Sequence, residues 1–196
     1  MTENKAPKIG GILLAAGGST RFGSPKQLAI YQGKTLIRRA AETLTASGTN
    51  PNVAVLGAET GGSTQQLEGL EINICINKNW QSGMSSSIRS GLQHLLTLEP
   101  NLDAVLITLC DQPLITPASL QLLTSHCQTS PTPIIAAKYG DTVGVPATFS
   151  RELFYELLDL EGDKGARDLI RQNKHTQIEI DAASLDVDTQ EDAIRA

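Results

Sequence analysis

Apolar runs too short for anything but strands alternate with helical patterns along most of this chain, and that alternation restricts the fold more than any other feature. Ile9 to Ala15 is an apolar run that passes at once into Gly17-Gly18-Ser19, the pattern of a buried strand entering a loop. Thr35 to Ala46 carries Leu36, Ile37, Ala40, Ala41 and Leu44 at helical spacing, with Gly33-Lys34 as the turn leading in. Val53 to Leu56 and Ile72 to Ile76 predict two further strands. A helix starting near Ser85 gathers Met84, Ile88, Leu92, Leu95 and Leu96 on one stripe, so Met84 and Ile88 are expected in the core. Ala104 to Leu109 is the most continuous strand. Thr116 and Pro117 suit the cap and first position of a helix running to Cys127. After residue 130 the pattern loosens. Strands are expected at Pro133 to Ala137, Thr142 to Phe149 and Thr176 to Ile180, with a turn at Gly140-Asp141. Helices are expected at Arg151 to Leu158, Ala166 to Gln172 and Gln190 to Arg195. The order predicts one α/β domain over 1–196 with a mostly parallel sheet. Ligands of such sheets bind beyond the carboxyl ends of the strands.

Composition removes other classes. Hydrophobic residues are 40% and charged residues 19% of 196, which excludes a disordered chain. A chain of this length buries about 70% of its unfolded surface and needs no staples. The longest apolar stretch, Ile12 to Ala16, falls far short of the ~20 residues of a membrane span. Met1 to Gly10 is polar and lacks the apolar centre of a secretory signal. Lys and Arg number 16 against 21 Asp and Glu, a net charge of −5, and form no run. Neither a nucleic acid nor a membrane is an expected partner. Cys75, Cys110 and Cys127 are odd in number and widely spaced, as befits reduced thiols in a cytoplasmic protein. His94, His126 and His175 form no metal-spaced cluster.

The stretch Leu14-Ala15-Ala16-Gly17-Gly18-Ser19-Thr20-Arg21-Phe22-Gly23-Ser24-Pro25-Lys26 follows the first strand. Small residues let the backbone approach a ligand, and successive N–H groups form an anion nest. Arg21 suits bidentate phosphate contact, and Lys26 suits a point charge on a phosphoryl oxygen. Gly17-Gly18 has the wrong spacing for a dinucleotide fingerprint, and Leu28 stands where a Walker A loop ending in Gly33-Lys34-Thr35 needs glycine. A tight turn with two solvated cations would use the same residues.

Four further segments carry candidate chemistry. In Asn79-Trp80-Gln81-Ser82-Gly83-Met84-Ser85-Ser86-Ser87-Ile88, hydroxyls and N–H groups gather at a helix start. One serine is expected to cap the helix, and three exceed what a cap needs. Cys110-Asp111-Gln112-Pro113 ends the best strand, where Asp111 is either a turn residue or a carboxylate suited to Mg²⁺ beside substrate phosphates. Cys110 reads as core. In Asp186-Val187-Asp188, the two carboxylates lie on one side of an extended segment and tolerate each other around a cation; Asp188 or Thr189 as a cap is the plainer reading. Lys164 and Arg167, in Leu160 to Arg167, offer two cations to an anionic ligand or form an exposed connector.

The run A-A-G-x-S-x-R-x-G-x-x-K from Ala15 to Lys26 resembles the signature loop of the nucleotidyltransferases related to the molybdenum cofactor enzymes, the MobA-like NTP transferases. It is most similar to the molybdenum cofactor cytidylyltransferase branch; the guanylyltransferase branch typically has A-G-G where this chain has Ala15-Ala16-Gly17. Phe22 replaces the commoner Met, and Pro25-Lys26-Gln27 is also similar to the cytidylyltransferase of isoprenoid synthesis. Cys110-Asp111-Gln112-Pro113, Asp186 to Asp192 with Gln190 in place of Pro, Gly144-Val145-Pro146, and Gly162-Asp163-Lys164-Gly165-Ala166-Arg167 resemble further motifs of that family in the same order.

The resemblance implies a three-layer α/β/α Rossmann-like nucleotidyltransferase fold, with about 9–130 binding nucleotide and about 131–196 binding the acceptor. It implies Leu14, Ala15, Ala16, Gly17, Gly18, Ser19, Arg21, Lys26, Gly83, Ser86 and Ser87 as nucleotide-binding residues, with Lys26, Arg21 and Asp111 catalytic. Asp111 and Asp188 would hold Mg²⁺, with Asp186 in support. Gly144, Pro146, Asp163, Lys164, Gly165 and Arg167 would face the acceptor. The implied reaction moves CMP from CTP to the terminal phosphate of a molybdopterin-type acceptor and releases pyrophosphate, with a molybdenum hydroxylase as recipient of the product. Competing readings are transfer to a sugar or polyol phosphate, guanylyl transfer, and a non-catalytic carrier of the molybdenum cofactor.

Overall fold

A computed structural model describes residues 6–17, 25–57 and 61–187. Strand β1 (Ile9–Ala15) is buried along its whole length because both its faces are covered. Its side chains alternate: Ile12 and Leu14 join one core cluster, Leu13 and Ala15 the other. A two-residue hairpin follows, β2 (Ile30–Tyr31) and β3 (Lys34–Thr35), turning through Gln32 and Gly33 at positive φ. Helix α1 (Leu36–Thr45) starts on Thr35, whose side chain accepts from the Arg38 amide. The chain continues through β4 (Asn52–Leu56), α2 (Gly61–Gln66), β5 (Asn73–Ile76), α3 (Met84–Leu98), β6 (Ala104–Leu109) and α4 (Pro117–Ser125). Thr116 caps α4 through the Ser119 amide, with Pro117 in its first turn, as the sequence predicts. The last third supplies β7 (Ile134–Tyr139), β8 (Thr142–Ser150), α5 (Phe154–Leu158), α6 (Ala166–Gln172) and β9 (His175–Glu179).

Apart from β2 and β3, which pair only with each other, the strands form one seven-stranded sheet in the order β5-β4-β1-β6-β8-β7-β9. All pairings are parallel except those of β8, which runs against both β6 and β7. On one face α3, α5 and α6 contribute Ile88, Leu92, Leu95, Leu157, Leu169 and Ile170 to the core. On the other, α1 and α4 contribute Ile37, Ala41, Leu44, Leu120 and Leu123. This is the three-layer α/β/α arrangement with a mostly parallel sheet. Among the described residues, no helix is long and apolar enough to cross a membrane.

Met84 departs from its expected core position. Its side chain is 46% exposed, because it opens α3 above the sheet, whereas Ile88 one turn later is fully buried. Helix α2 and the β2–β3 hairpin carry no periodic apolar pattern and escape sequence reading. The expected helix Gln190 to Arg195 lies outside the described residues.

Candidate active site

The carboxyl end of β1 is held from below by a side chain that motif reasoning does not single out. Gln27 is buried in the 3-10 turn Lys26–Leu28, and its amide donates to the carbonyls of Ala15 at 2.8 Å and Gly17 at 2.9 Å. Ala15 and Ala16 are buried, while Gly17 is exposed and a Cβ added there would meet nothing within 4 Å. The backbone at the strand end is thus fixed and faces open space. Of the expected phosphate loop, Gly18, Ser19 and Arg21 lie outside the described residues, whereas Leu14, Ala15, Ala16, Gly17 and Lys26 lie within them.

Lys26 crosses to the end of β6. Its Nζ donates to Oδ2 of Asp111 at 2.8 Å, with the two side chains 16% and 25% exposed. The other oxygen, Oδ1, is buried and accepts no hydrogen bond among the described residues. The backbone carbonyl of Asp111 accepts from the Val187 amide at 2.9 Å, which docks the acidic C-terminal run against the β6 end. Asp186 is exposed there, and Asp188 lies outside the described residues. An orphaned carboxylate oxygen in a hard-oxygen setting fits a divalent cation, with Asp111 as the ligand the described residues supply. No three metal-ligating side chains converge among the described residues, so such a cation would draw further oxygens from substrate phosphates and from the C-terminal run. Cys110 is buried beside Asp111. Desolvation, and then the Asp111 charge, push its thiol far above the ordinary value, so it is no nucleophile.

Gln112 ties this corner to the second half of the sheet. Its amide donates to the carbonyls of Ala183 at 3.0 Å and Val145 at 3.4 Å. The register of β8 against β7 slips between Ala136 and Ala137, which leaves Val145 and Pro146 out of the ladder and the Val145 carbonyl available to Gln112. Gly144, next along β8, lies under Arg167: a Cβ there would sit 2.9 Å from the Tyr139 hydroxyl and 3.4 Å from Arg167 Nε. Arg167 donates to the Tyr139 hydroxyl at 3.2 Å and forms no ion pair among the described residues. Among the described residues its charge is therefore not neutralised, and it sits beside Gly144, the neighbour of the Val145 that Gln112 holds. Asp163 and Lys164 are exposed, and Gly165 is buried with its amide donating to Asp168 at 2.9 Å.

The start of α3 is capped by a carbonyl instead of a serine. Ser85 is fully buried, and both its amide and its hydroxyl donate to the Gly162 carbonyl, at 3.4 and 2.7 Å. Gly83 precedes it at φ 103, packed so closely on Gly162 that a Cβ would overlap that carbonyl. Met84 rests against Gly165. The expected nucleotide segment and the expected acceptor loop are thus in direct contact. Asn77, another residue that motif reasoning missed, donates its amide to Ser86 at 2.8 Å and to Ser87 at 3.0 Å.

Chemically, the arrangement offers a paired lysine and carboxylate beside an exposed strand-end backbone, with a guanidinium held by the Tyr139 hydroxyl over β8. That set suits positioning and charge neutralisation of phosphates better than proton transfer. Comparison with known proteins agrees. Residues 11–177 match the MobA-like NTP transferase domain. The whole chain is 32% identical to nicotine blue oxidoreductase of Paenarthrobacter nicotinovorans, spanning 99% of that protein. The crystal structure of Rv0371c from Mycobacterium tuberculosis H37Rv is similar with a TM-score of 0.80 at 30% identity, over 96% of this chain and 97% of that one. The same protein in complex with manganese gives a TM-score of 0.71 at 28% identity, over 88% of each chain. Since the domain match runs from β1 through β9 and takes in every strand of the sheet, the chain belongs to the MobA-like NTP transferase family.

Proposed function

We propose that the chain transfers CMP from CTP to the terminal phosphate of a molybdopterin-type acceptor, with pyrophosphate as the second product. The observation that carries the reading is the pair of Lys26, in the loop after β1, with Asp111 at the end of β6, with a buried carboxylate oxygen unpartnered among the described residues. A divalent cation, Mg²⁺ in the cell, would be held by Asp111 with Asp188 and would neutralise phosphate charge. Lys26 lies at the strand-end backbone and would stabilise charge at the α-phosphate; Arg21 would hold the β- and γ-phosphates. Arg167, held by Tyr139 and unpaired, would bind an anionic group of the acceptor. The attacking phosphate is already ionised, so no general base is needed. Cytidine is favoured by Ala15-Ala16-Gly17, and the acceptor by the motifs at Cys110 to Pro113 and Gly162 to Arg167. The product would pass to a molybdenum hydroxylase in the cytoplasm.

The test is pyrophosphate release from each of the four nucleoside triphosphates with Mg²⁺ or Mn²⁺ and candidate acceptors. Asp111→Asn should lower kcat at least a hundredfold while the protein stays folded. Wild-type turnover in that variant would remove the metal and catalytic roles of Asp111. One observation favours a second reading: the relative aligned over the whole chain is named an oxidoreductase. In that case the chain would act on nicotine blue by electron transfer. Oxidation of a reduced nicotinamide dinucleotide by nicotine blue, without pyrophosphate release, would establish it.

A further inference from the structure

Two buried polar atoms without partners belong to residues that line one small cavity beside the Asp111 corner. Arg39 projects from α1, and its Nε is buried and makes no hydrogen bond among the described residues. Gln112 is 3% exposed. Its side-chain nitrogen is identified by the carbonyls of Ala183 and Val145 that it meets, since a carbonyl only accepts. Its Oε1 is therefore the opposite end of the amide, and that oxygen is buried and unpartnered as well. Arg39 and Gln112 line a cavity of about 10 Å³ together with the hydroxyl-bearing Thr43 and Thr108. A polar cavity of that size holds a single water. The two orphans also exclude other occupants. Nε–H can only donate and Oε1 can only accept, so the carbonyl oxygen repels an anion and the guanidinium repels a cation. A water accepts and donates, and it satisfies both atoms at once.

Arg39 is tied to Asp111 by a second route. Its guanidinium carbon lies 5.0 Å from the centroid of the Tyr31 ring. Tyr31 is buried in one cluster with Leu36 and Val187, and the Val187 amide donates to the Asp111 carbonyl. The guanidinium is held in turn by Gln32 of the β2–β3 hairpin, to which it donates at 2.6 Å. One side chain thus stands behind both neighbours that fix Asp111: Gln112, next in the chain, and Val187, docked on its carbonyl.

We propose that this cavity binds one ordered water, which accepts from Arg39 Nε and donates to Gln112 Oε1, and that Arg39 is thereby a positioning residue for the Asp111 carboxylate. With its oxygen held by the water and its nitrogen by two carbonyls, the Gln112 amide has one orientation, and the backbone at Asp111 is fixed with it. The positioning role rests on the metal-binding part of the function proposed above; the water site does not.

The water is tested by NMR of the ¹⁵N-labelled protein without nucleotide or metal. The Arg39 Nε–H signal, assigned by its loss in Arg39→Lys, should exchange slowly and show a nuclear Overhauser effect to a water that tumbles with the protein. Absence of that effect overturns the inference, whatever the protein does with nucleotides. The positioning role is tested by Mn²⁺ titration in the presence of CTP, read by electron paramagnetic resonance. Arg39→Lys keeps the charge but puts a methylene where Nε stands, and it should bind Mn²⁺ about tenfold more weakly. Gln112→Met should lose at least as much, and the double variant no more than Gln112→Met alone, because both remove the same link. Gln32→Asn, too short to reach Arg39, should bind like wild type. Wild-type affinity in Arg39→Lys, additive losses in the double variant, or an equal loss in Gln32→Asn overturns the positioning role. Failure of the wild-type protein to bind Mn²⁺ overturns the metal-binding function and the role of Arg39 with it, while the NMR result still decides the water. If Gln112→Met does not fold, Arg39→Lys against Gln32→Asn decides.

Discussion

Cys110 illustrates how a single residue can be informative without being catalytic. Burial and the neighbouring Asp111 hold its thiol far above the ordinary value of 9.0. Between that value and the folded one, the unfolded chain loses a proton that the folded chain keeps. Stability should therefore be unaffected below about pH 9 and fall by about 1.4 kcal/mol per pH unit above it. Urea unfolding of wild type and Cys110→Ala across that range checks this: the variant should show a shallower alkaline decline. An identical slope would mean that the thiol is already ionised in the folded protein. Cys110 and Asp111 stood out in the sequence because they close an apolar run, and a strand end in a parallel sheet is where ligands sit; Lys26 stood out as a cation at the far end of the glycine-rich loop after β1. Gln27, Asn77 and Tyr139 were not. Each works through a partner many residues away, such as Tyr139 with Arg167, and a lone polar side chain carries no mark of its partner.

At the scale of elements, the contact between the start of α3 and the loop 161–165 is the least expected feature. Sequence reading found the helix and the loop separately but gave the cap to a serine, since a serine at a helix start is the local solution. The cap is supplied from 77 residues away, by the Gly162 carbonyl. Gly83 makes the contact possible, because its backbone at φ 103 and ψ 174 is open only to glycine. Gly83→Ala should cost about 3 kcal/mol by urea unfolding and displace the loop. Gly140, at φ 55 with nothing within 4 Å of a Cβ, is the control, and Gly140→Ala should cost about 1 kcal/mol. Equal costs at the two positions would show that the contact contributes nothing beyond backbone strain. Helix α2 stayed hidden for the opposite reason. Gly-Gly-Ser-Thr-Gln-Gln has no apolar stripe, and the helix is held by tertiary bonds such as that from Thr35 to Gln66.

For the whole molecule, alternation of strands and helices specified the layers and the parallel core of the sheet, because both follow from periodicity. It did not specify the reversal of β8, which depends on the short Gly140-Asp141 turn being tight enough to fold β8 back along β7. If nucleotide and metal bind the strand ends of the native sheet alone, they stabilise the whole fold. CTP with Mg²⁺ at a hundred times its Kd should contribute about 2.7 kcal/mol, read as a rise in the unfolding midpoint. A midpoint that moves with Mg²⁺ alone, and no further with any nucleotide, would contradict the proposed site. The reversal of β8 has one more consequence. The other strands of the sheet bring their carboxyl ends to the edge where Asp111 lies, whereas β8 brings its beginning, joined to β7 by a hairpin at that same edge. If the acceptor binds as proposed, the length of that hairpin would gauge the second substrate: lengthening or trimming it would retune which acceptors fit while the parallel, nucleotide half of the sheet keeps its register. On that reading, a graft of this one hairpin between relatives would change the acceptor and keep the donor.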